Sequence, residues 1–324
     1  MAHLALLATG GTIATRSSGG ADAARAVALD AADLLATVGP PPTATVTATD
    51  VAGRLSFAAG LDDLAALARV VRDAAAAHDG VVVTHGTDSL EETALLLALT
   101  ADATTPVTLT GAQRPADHPA PDGPANLAAA LRWVAHGVPG VTVTFAGRVW
   151  PAVGVRKVHT EALDAFAAPG RGPLAAVGTD GVRVLATARV PALAGPLPAL
   201  PRVDVVAQYV GADAHAVDAA VAAGARGVVV AAFGAGNATP PVVDAARRLL
   251  DRGVPVVVAS RVGDGPVAGL YAGGGADLAR AGALFAGDLS PWQARVLLAV
   301  ALAHRPDDPL AAAGGWLREA GVTP

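Results

Sequence analysis

Residues 80–93 read GVVVTHGTDSLEET, and the order of residue types in that stretch decides the fold class. Val81, Val82 and Val83 follow Gly80 as a short apolar run without polar alternation, the pattern of a strand buried on both faces of a parallel sheet. The run stops at Thr84-His85-Gly86-Thr87-Asp88, a polar turn at the strand's carboxyl end, where open α/β sheets hold their ligands. Ser89 then opens a helix, with Glu92 three positions on as in a capping box and Leu95, Leu96, Leu97 and Leu99 as its apolar face. The free N–H groups and positive dipole end of that helix are expected to face Thr87 and Asp88.

The same plan extends in both directions. Residues 3–8 form a first strand that leaves through Thr9-Gly10-Gly11-Thr12-Ile13, and residues 17–26, rich in Ser, Gly and Ala, read as a mobile loop. A second strand is expected over 43–51, and helical spacing of Leu64, Leu67, Val70 and Val71 marks 61–77. Residues 106–109 form a strand running into Thr110-Gly111-Ala112-Gln113-Arg114-Pro115; a helix follows from Asp122-Gly123-Pro124 to about 134, and another strand covers 141–145. Residues 190–201, VPALAGPLPALP, carry four prolines and can hold neither a helix nor a central strand. Beyond them, strands over 203–208, 227–233 and 254–260 alternate with helices near 214–223 and 242–252. The fold class predicted is α/β: a larger N-terminal layered-sheet domain with helices on both faces (1–188), a Pro-rich linker (189–201) and a smaller C-terminal α/β domain (202–324). Crossovers are expected to be mostly right-handed.

Composition narrows the partners. Of 324 residues, 52% are apolar and 3% aromatic, and 23 basic against 28 acidic side chains leave a net charge of −5 with no long block of one sign. A nucleic-acid surface is not expected from such a chain; a small polar partner is. Cysteine is absent, which excludes thiol catalysis and leaves a metal only imidazole and oxygen ligands. His85 and His159 lack the carboxylate spacing of a metal pair, and neither a G-x-G-x-x-G nor a P-loop pattern appears, so no cofactor is expected. The opening MAHLALLATGG has no basic region ahead of its apolar run and no cleavage site behind it, and no apolar segment approaches the ~18 residues of a membrane helix. A cytoplasmic protein without membrane contact is the expectation.

Two constellations carry chemistry. In Thr9-Gly10-Gly11-Thr12 the glycines let backbone approach a ligand while Thr12 offers a hydroxyl, as acyl transfer from an amide requires; an ordinary tight βα turn has the same sequence. Thr87-Asp88 is the second. Lys157 is the sole lysine of the chain, every other basic side chain being arginine. Arginine cannot surrender its proton, whereas a lysine near charge can be tuned, which suggests a Thr87–Lys157–Asp88 relay; a surface lysine surviving by chance is the alternative.

These residues resemble the bacterial-type L-asparaginases and glutaminase-asparaginases, most closely in Ala8-Thr9-Gly10-Gly11-Thr12-Ile13-Ala14 and in Thr84 to Thr93. Gly111 to Pro115, Asp122 to Leu127, Gly236-Asn237, Ser260-Arg261-Val262 and Gln293 to Leu298 agree in order and spacing, so the resemblance runs over nearly the whole chain. It implies that Thr12 attacks the side-chain amide carbonyl of L-asparagine, giving an acyl-enzyme and ammonia before water releases aspartate. It also implies that Thr87 positions the attacking group, that Lys157 tunes its proton, and that Asp88 orients Lys157 and receives the substrate ammonium. Ser56 falls at the family's α-carboxylate-binding serine, the Ala112 carbonyl lines the same pocket, and Asn237 supports a neighbouring subunit's site in a homodimer or homotetramer. The chain departs from the family's pattern in having no tyrosine in 21–28, in placing Phe57 where an amide or acid is common, and in showing no counterpart of the second domain's acidic residue. The first departure leaves the base for Thr12 open, with Tyr271 of a partner subunit as a candidate. The function expected is hydrolysis of L-asparagine without metal or cofactor. The alternatives are hydrolysis of another amide (L-glutamine, a D-amino-acid amide or a peptide amide) and a non-catalytic amino-acid-binding module.

Overall fold

The structure, a computed structural model, describes residues 1–17, 25–101, 104–187, 190–195, 197 and 199–322. It divides into two units, Met1–Ala192 and Leu193–Pro324. The strands of the first are β1 (Ala2–Gly10), β2 (Thr15–Ser17), β3 (Arg25–Val27), β4 (Ala44–Arg54), β5 (Gly80–Thr84), β6 (Pro106–Thr110), β7 (Gly140–Phe145), β8 (Arg148–Pro151), β9 (Arg156–Lys157), β10 (Phe166–Ala167), β11 (Ala175–Gly178) and β12 (Gly181–Val184). The helices among them are α1 (Ala31–Ala36), α2 (Leu61–Ala77), α3 (Leu90–Thr100) and α4 (Gly123–His136).

The main sheet has the order β12-β11-β8-β7-β6-β5-β1-β4. From β4 to β7 it is parallel, and β8, β11 and β12 extend it antiparallel, so the sheet is mixed. The valine run occupies β5, and every residue of that strand is buried. Leu4, Leu6 and Ala8 of β1 and Val82 of β5 share a core with Leu34 of α1 and with Leu127, Leu131 and Val134 of α4. The alternate residues, Ala5, Leu7, Val81 and Val83, turn to the other face. There α2 lies on β1 and β5, and α3 packs on α2 and reaches β7. Each Val or Leu buried in this way contributes roughly 1.5–3 kcal/mol relative to exposure, and that sum holds the layers together.

From β5 the chain steps to β6 and on to β7 in one direction, yet α3 and α4 lie on opposite faces. The β6–α4–β7 crossover therefore has the opposite hand to β5–α3–β6, a departure from the usual rule. From β1 the chain instead moves outward to β4, so the connections leaving the paired strands β1 and β5 run in opposite directions, the kind of switch point at whose carboxyl end α/β sheets hold a ligand crevice. Thr15–Ser17 and Arg25–Val27 pair as a short antiparallel hairpin just beyond β1; most of the segment read as a mobile loop, 18–24, lies outside the described residues.

The second unit is built from β13 (Val203–Ala207), α5 (His215–Ala222), β14 (Gly227–Ala232), α6 (Pro240–Asp251), β15 (Val256–Ser260), α7 (Gly275–Arg280), β16 (Leu284–Phe285), α8 (Pro291–His304) and α9 (Pro309–Glu319). Its strands form a parallel sheet in chain order. Val228 and Val230 face Val217, Val242 and Leu249 of α5 and α6. On the other side Gly227 admits Leu298 and Leu302 of α8, since a Cβ there would lie 2.8 Å from Leu298. The molecule is thus two-domain α/β, the larger sheet mixed and the smaller parallel. Among the described residues no helix is long and apolar enough to cross a membrane.

Candidate active site

Register brings the turns of β1, β5 and β6 level. Ala8 stands opposite Thr84 and Thr84 opposite Thr110, so the segments 9–12, 85–88 and 111–113 leave the sheet side by side. They lie too close to carry side chains at three positions. A Cβ on Gly11 would meet Gly86 N at 2.5 Å, one on Gly86 would meet Ser56 Oγ at 2.4 Å, and one on Gly111 would meet His85 O at 2.4 Å. Gly11 also has φ +80°, a conformation that L side chains rarely adopt. These contacts clamp Thr12, Ser56 and Thr87 around one cleft of ≈ 300 Å³ whose walls include Gly11, Thr12, Ser56, Phe57, Thr87 and Asp88.

Lys157 enters from β9. Its Nζ donates to Thr87 Oγ1 and to Asp88 Oδ1, each at 2.9 Å, and its backbone N donates to Glu91 Oε2 at 2.9 Å. The Lys157 side chain is 19% exposed and that of Asp88 57%. An ion pair this open adds at most about 1 kcal/mol to stability, so its consequence is orientation of the ammonium rather than support of the fold. Thr87, buried, donates its hydroxyl to Gln113 Oε1 at 3.3 Å.

His85 stays out of the cleft chemistry. Its Nδ1 lies 2.8 Å from Gly86 O, and since a carbonyl only accepts, that nitrogen carries the proton; Nε2 lies 3.1 Å from Thr93 Oγ1. Burial lowers its pKa, an effect partly opposed by the Gly86 bond. Among the described residues no group of three or more acidic or imidazole side chains is placed to hold a metal.

Thr12, Ser56, Thr87, Asp88 and Lys157 are brought together in the first unit. Thr12 opens a 3₁₀ turn, and its carbonyl accepts from Thr15 Oγ1 at 2.9 Å. Ala112 follows Gly111 in the loop after β6, and its methyl is buried in the core with Ile13 and Leu127. Asn237 lies in the second unit, where its Oδ1 accepts from Gly275 N at 3.1 Å. Tyr271, in the same unit, is 64% exposed.

The capping box expected at Ser89 is not formed. Ser89 is the N-cap of α3 but makes no side-chain cap bond; its hydroxyl donates to Ser56 O at 3.1 Å, a tertiary partner that ties α3 to the Ser56 turn. Sequence reasoning also passed over the supports of the site. Asp122 accepts from the backbone N of Gln113 and Arg114 at 3.0 and 2.9 Å. Asn126 donates to Gly111 O at 3.0 Å and accepts from Ala146 N at 3.0 Å. Their presence within ordered polar segments was visible, but bonds to distant backbone have no local signature.

Residues 3–189 match the family model "Asparaginase, N-terminal", and residues 202–311 match "Glutaminase/Asparaginase C-terminal domain". The chain belongs to the asparaginase family. Within that family it is 39% identical over 248 residues to a probable L-asparaginase of Deinococcus radiodurans, covering 73% of this chain and 74% of that protein. It is 34% identical over 313 residues to an L-asparaginase of Bacillus licheniformis, covering 93% and 95%. A component of the glutamyl-tRNA(Gln) amidotransferase of Halobacterium salinarum is 32% identical over 95% of this chain and 77% of its own length. Among solved asparaginase structures, a probable cytoplasmic L-asparaginase from Campylobacter jejuni superposes with a TM-score of 0.86 at 32% identity, over 98% of this chain and 100% of that one. Asparaginase membership makes this protein an amidohydrolase, and the cleft between β1 and β5 is its candidate active site.

Proposed function

We propose that the protein hydrolyses L-asparagine to L-aspartate and ammonia through an acyl-enzyme on Thr12. The observation that carries this reading is the pair of 2.9 Å contacts from Lys157 Nζ to Thr87 Oγ1 and Asp88 Oδ1, on a cleft shared with Thr12 and Ser56. Ser56 holds the α-carboxylate and the exposed carboxylate of Asp88 takes the α-ammonium, which sets the side-chain amide against Thr12. The Thr12 hydroxyl adds to the amide carbon and gives up its proton, and the C–N bond breaks as the nitrogen, protonated, leaves as ammonia. Water then adds to the ester carbon, its proton is relayed through the Thr87–Lys157 pair to the Thr12 oxygen as the C–O bond breaks, and aspartate departs with the Thr12 hydroxyl restored. The working form is a homodimer or homotetramer in which Asn237 supports the cleft of a neighbouring subunit; light scattering on the purified protein tests the oligomer.

Thr12→Ala and Thr87→Ala should each lose ammonia release from asparagine by about 10²-fold or more while remaining folded. A rapid quench of wild type with asparagine should yield protein heavier by one aspartyl group, and Thr12→Ala should show none. Full activity in either variant removes that threonine from the mechanism. A second reading, hydrolysis of a larger amide, is favoured by Phe57, which stands 71% exposed on the cleft, and by the amidotransferase relative. Ranking asparagine, glutamine, their D-forms and peptide-linked asparagine by kcat/KM decides between the two.

A further inference from the structure

We propose that Gln113 is a positioning residue that fixes the direction of the Thr87 hydroxyl and thereby keeps the Thr87 oxygen turned to Lys157. This deepens the reading above, in which Thr87 and Lys157 move protons together. Gln113 Nε2 donates to Thr160 O at 3.3 Å and to Ala162 O at 3.1 Å. Two carbonyls can only accept, so the NH₂ end must face them, and the remaining Oε1 is the atom presented to Thr87. An amide oxygen accepts a hydrogen bond without taking the proton. The Thr87 O–H is therefore aimed at Oε1 over 3.3 Å, leaving a lone pair to receive Lys157 Nζ at 2.9 Å. Thr160 and Ala162 belong to the loop between β9 and β10, which begins at Lys157 itself. One side-chain amide thus touches both the hydroxyl and the chain segment that carries the amine.

The placement of that amide is itself held. Asp122 pins the backbone of Gln113 and Arg114, and Asn126 ties Gly111 on the other side. On the loop, His159 Nδ1 accepts from Glu161 N and Ala162 N at 3.0 and 2.9 Å, folding the chain so that both carbonyls present to Gln113. Gln113 does not line the cleft, so its removal should act on turnover and leave substrate binding in place.

Two variants test this. Gln113→Leu keeps the volume and removes both functions; kcat should fall roughly tenfold with KM within about threefold of wild type. Gln113→Glu retains an acceptor for Thr87 but, when ionised, turns an oxygen toward the Thr160 and Ala162 carbonyls; only its protonated form donates there. Its kcat relative to wild type should therefore rise as pH is lowered from 8 to 5.5, a signature that a merely structural role does not produce. A measurement independent of turnover accompanies them: ¹³C-methyl threonine NMR should show Thr87 in a single side-chain rotamer in wild type and in averaged rotamers in Gln113→Leu. A Thr87 that keeps one rotamer in Gln113→Leu, or a Gln113→Glu to wild-type ratio that is flat with pH, overturns the proposal. Should wild type release ammonia from no amide, the reading of function fails, and the rotamer measurement still decides the role of Gln113.

Discussion

Gly86→Ala is the substitution whose effect follows most directly from the packing of the site. The new methyl would lie 2.4 Å from Ser56 Oγ, 2.7 Å from Ser56 Cβ and 3.1 Å from Ser56 N, where ordinary contact begins near 3.4 Å. Rotating the Ser56 hydroxyl away relieves only the first of these, so the Ser56 turn must shift by about 1 Å relative to Gly86. Overpacking of this kind costs roughly 1–3 kcal/mol. For a unit of this size each kcal/mol moves the unfolding midpoint by roughly 2–4 °C, so a fall of about 2–12 °C is expected. The same shift displaces the hydroxyl proposed to hold the α-carboxylate. Losing one hydrogen bond to a charged group, ~1.5–3 kcal/mol, should raise KM for asparagine about 10- to 100-fold. Gly53→Ala is the control, since a Cβ there meets nothing within 4 Å, and it should stay within about ±0.5 kcal/mol of wild type. Thermal unfolding and steady-state ammonia release, measured on both variants, decide the matter. If Gly86→Ala matched Gly53→Ala in midpoint and KM, the claim that close glycine contacts set the Ser56–Thr87 spacing would be wrong.

Lys157→Arg preserves the charge but replaces a point ammonium that gives up protons by a planar guanidinium that does not, so kcat should drop by about 10²-fold or more without a matching loss of thermal stability. Recovery of wild-type turnover in that variant would show that only the positive charge matters. For His85 the sign follows from burial. The folded chain resists a proton that the unfolded chain accepts below its ordinary value of 6.5, so the His85 contribution is complete above that pH and is lost as pH falls below it. The unfolding free energy of wild type should thus decline between pH 6.5 and 5 more steeply than that of His85→Gln, and parallel curves would contradict this.

How much of the molecule could be read from residues depended on how local the cause was. The β5 run and the leucines of α3 are unambiguous, because three valines between a glycine and a polar turn fit no other element as well. The antiparallel edge β8, β11 and β12 and the pair β9–β10 went unread; strands of two to four residues are too short to carry a period. Helix α8 also escaped, since it is buried on nearly all sides and shows no apolar stripe, although Ser290 caps it by accepting from Gln293 N. At the site, Thr12 and Thr87 stood out because each ends a strand, and the lone lysine stood out by composition. That Lys157 reaches Thr87 across 70 positions follows from where the separate β9–β10 pair packs in the fold, which no local pattern encodes. Ser89 was misread for the converse reason: its hydroxyl had a local use, and a tertiary carbonyl took it.

A chain with one ε-amine offers amine-directed chemistry a single side-chain target, and here that target borders the cleft, 19% exposed. Acylating or reductively alkylating reagents can modify only this nitrogen and the α-amino group. Label located on Lys157 by peptide mapping therefore reports access to the cleft, with a substrate analogue slowing the reaction. Coupling the protein to a support through lysine, routine for most enzymes, would attach it by the very atom on which its turnover is proposed to depend.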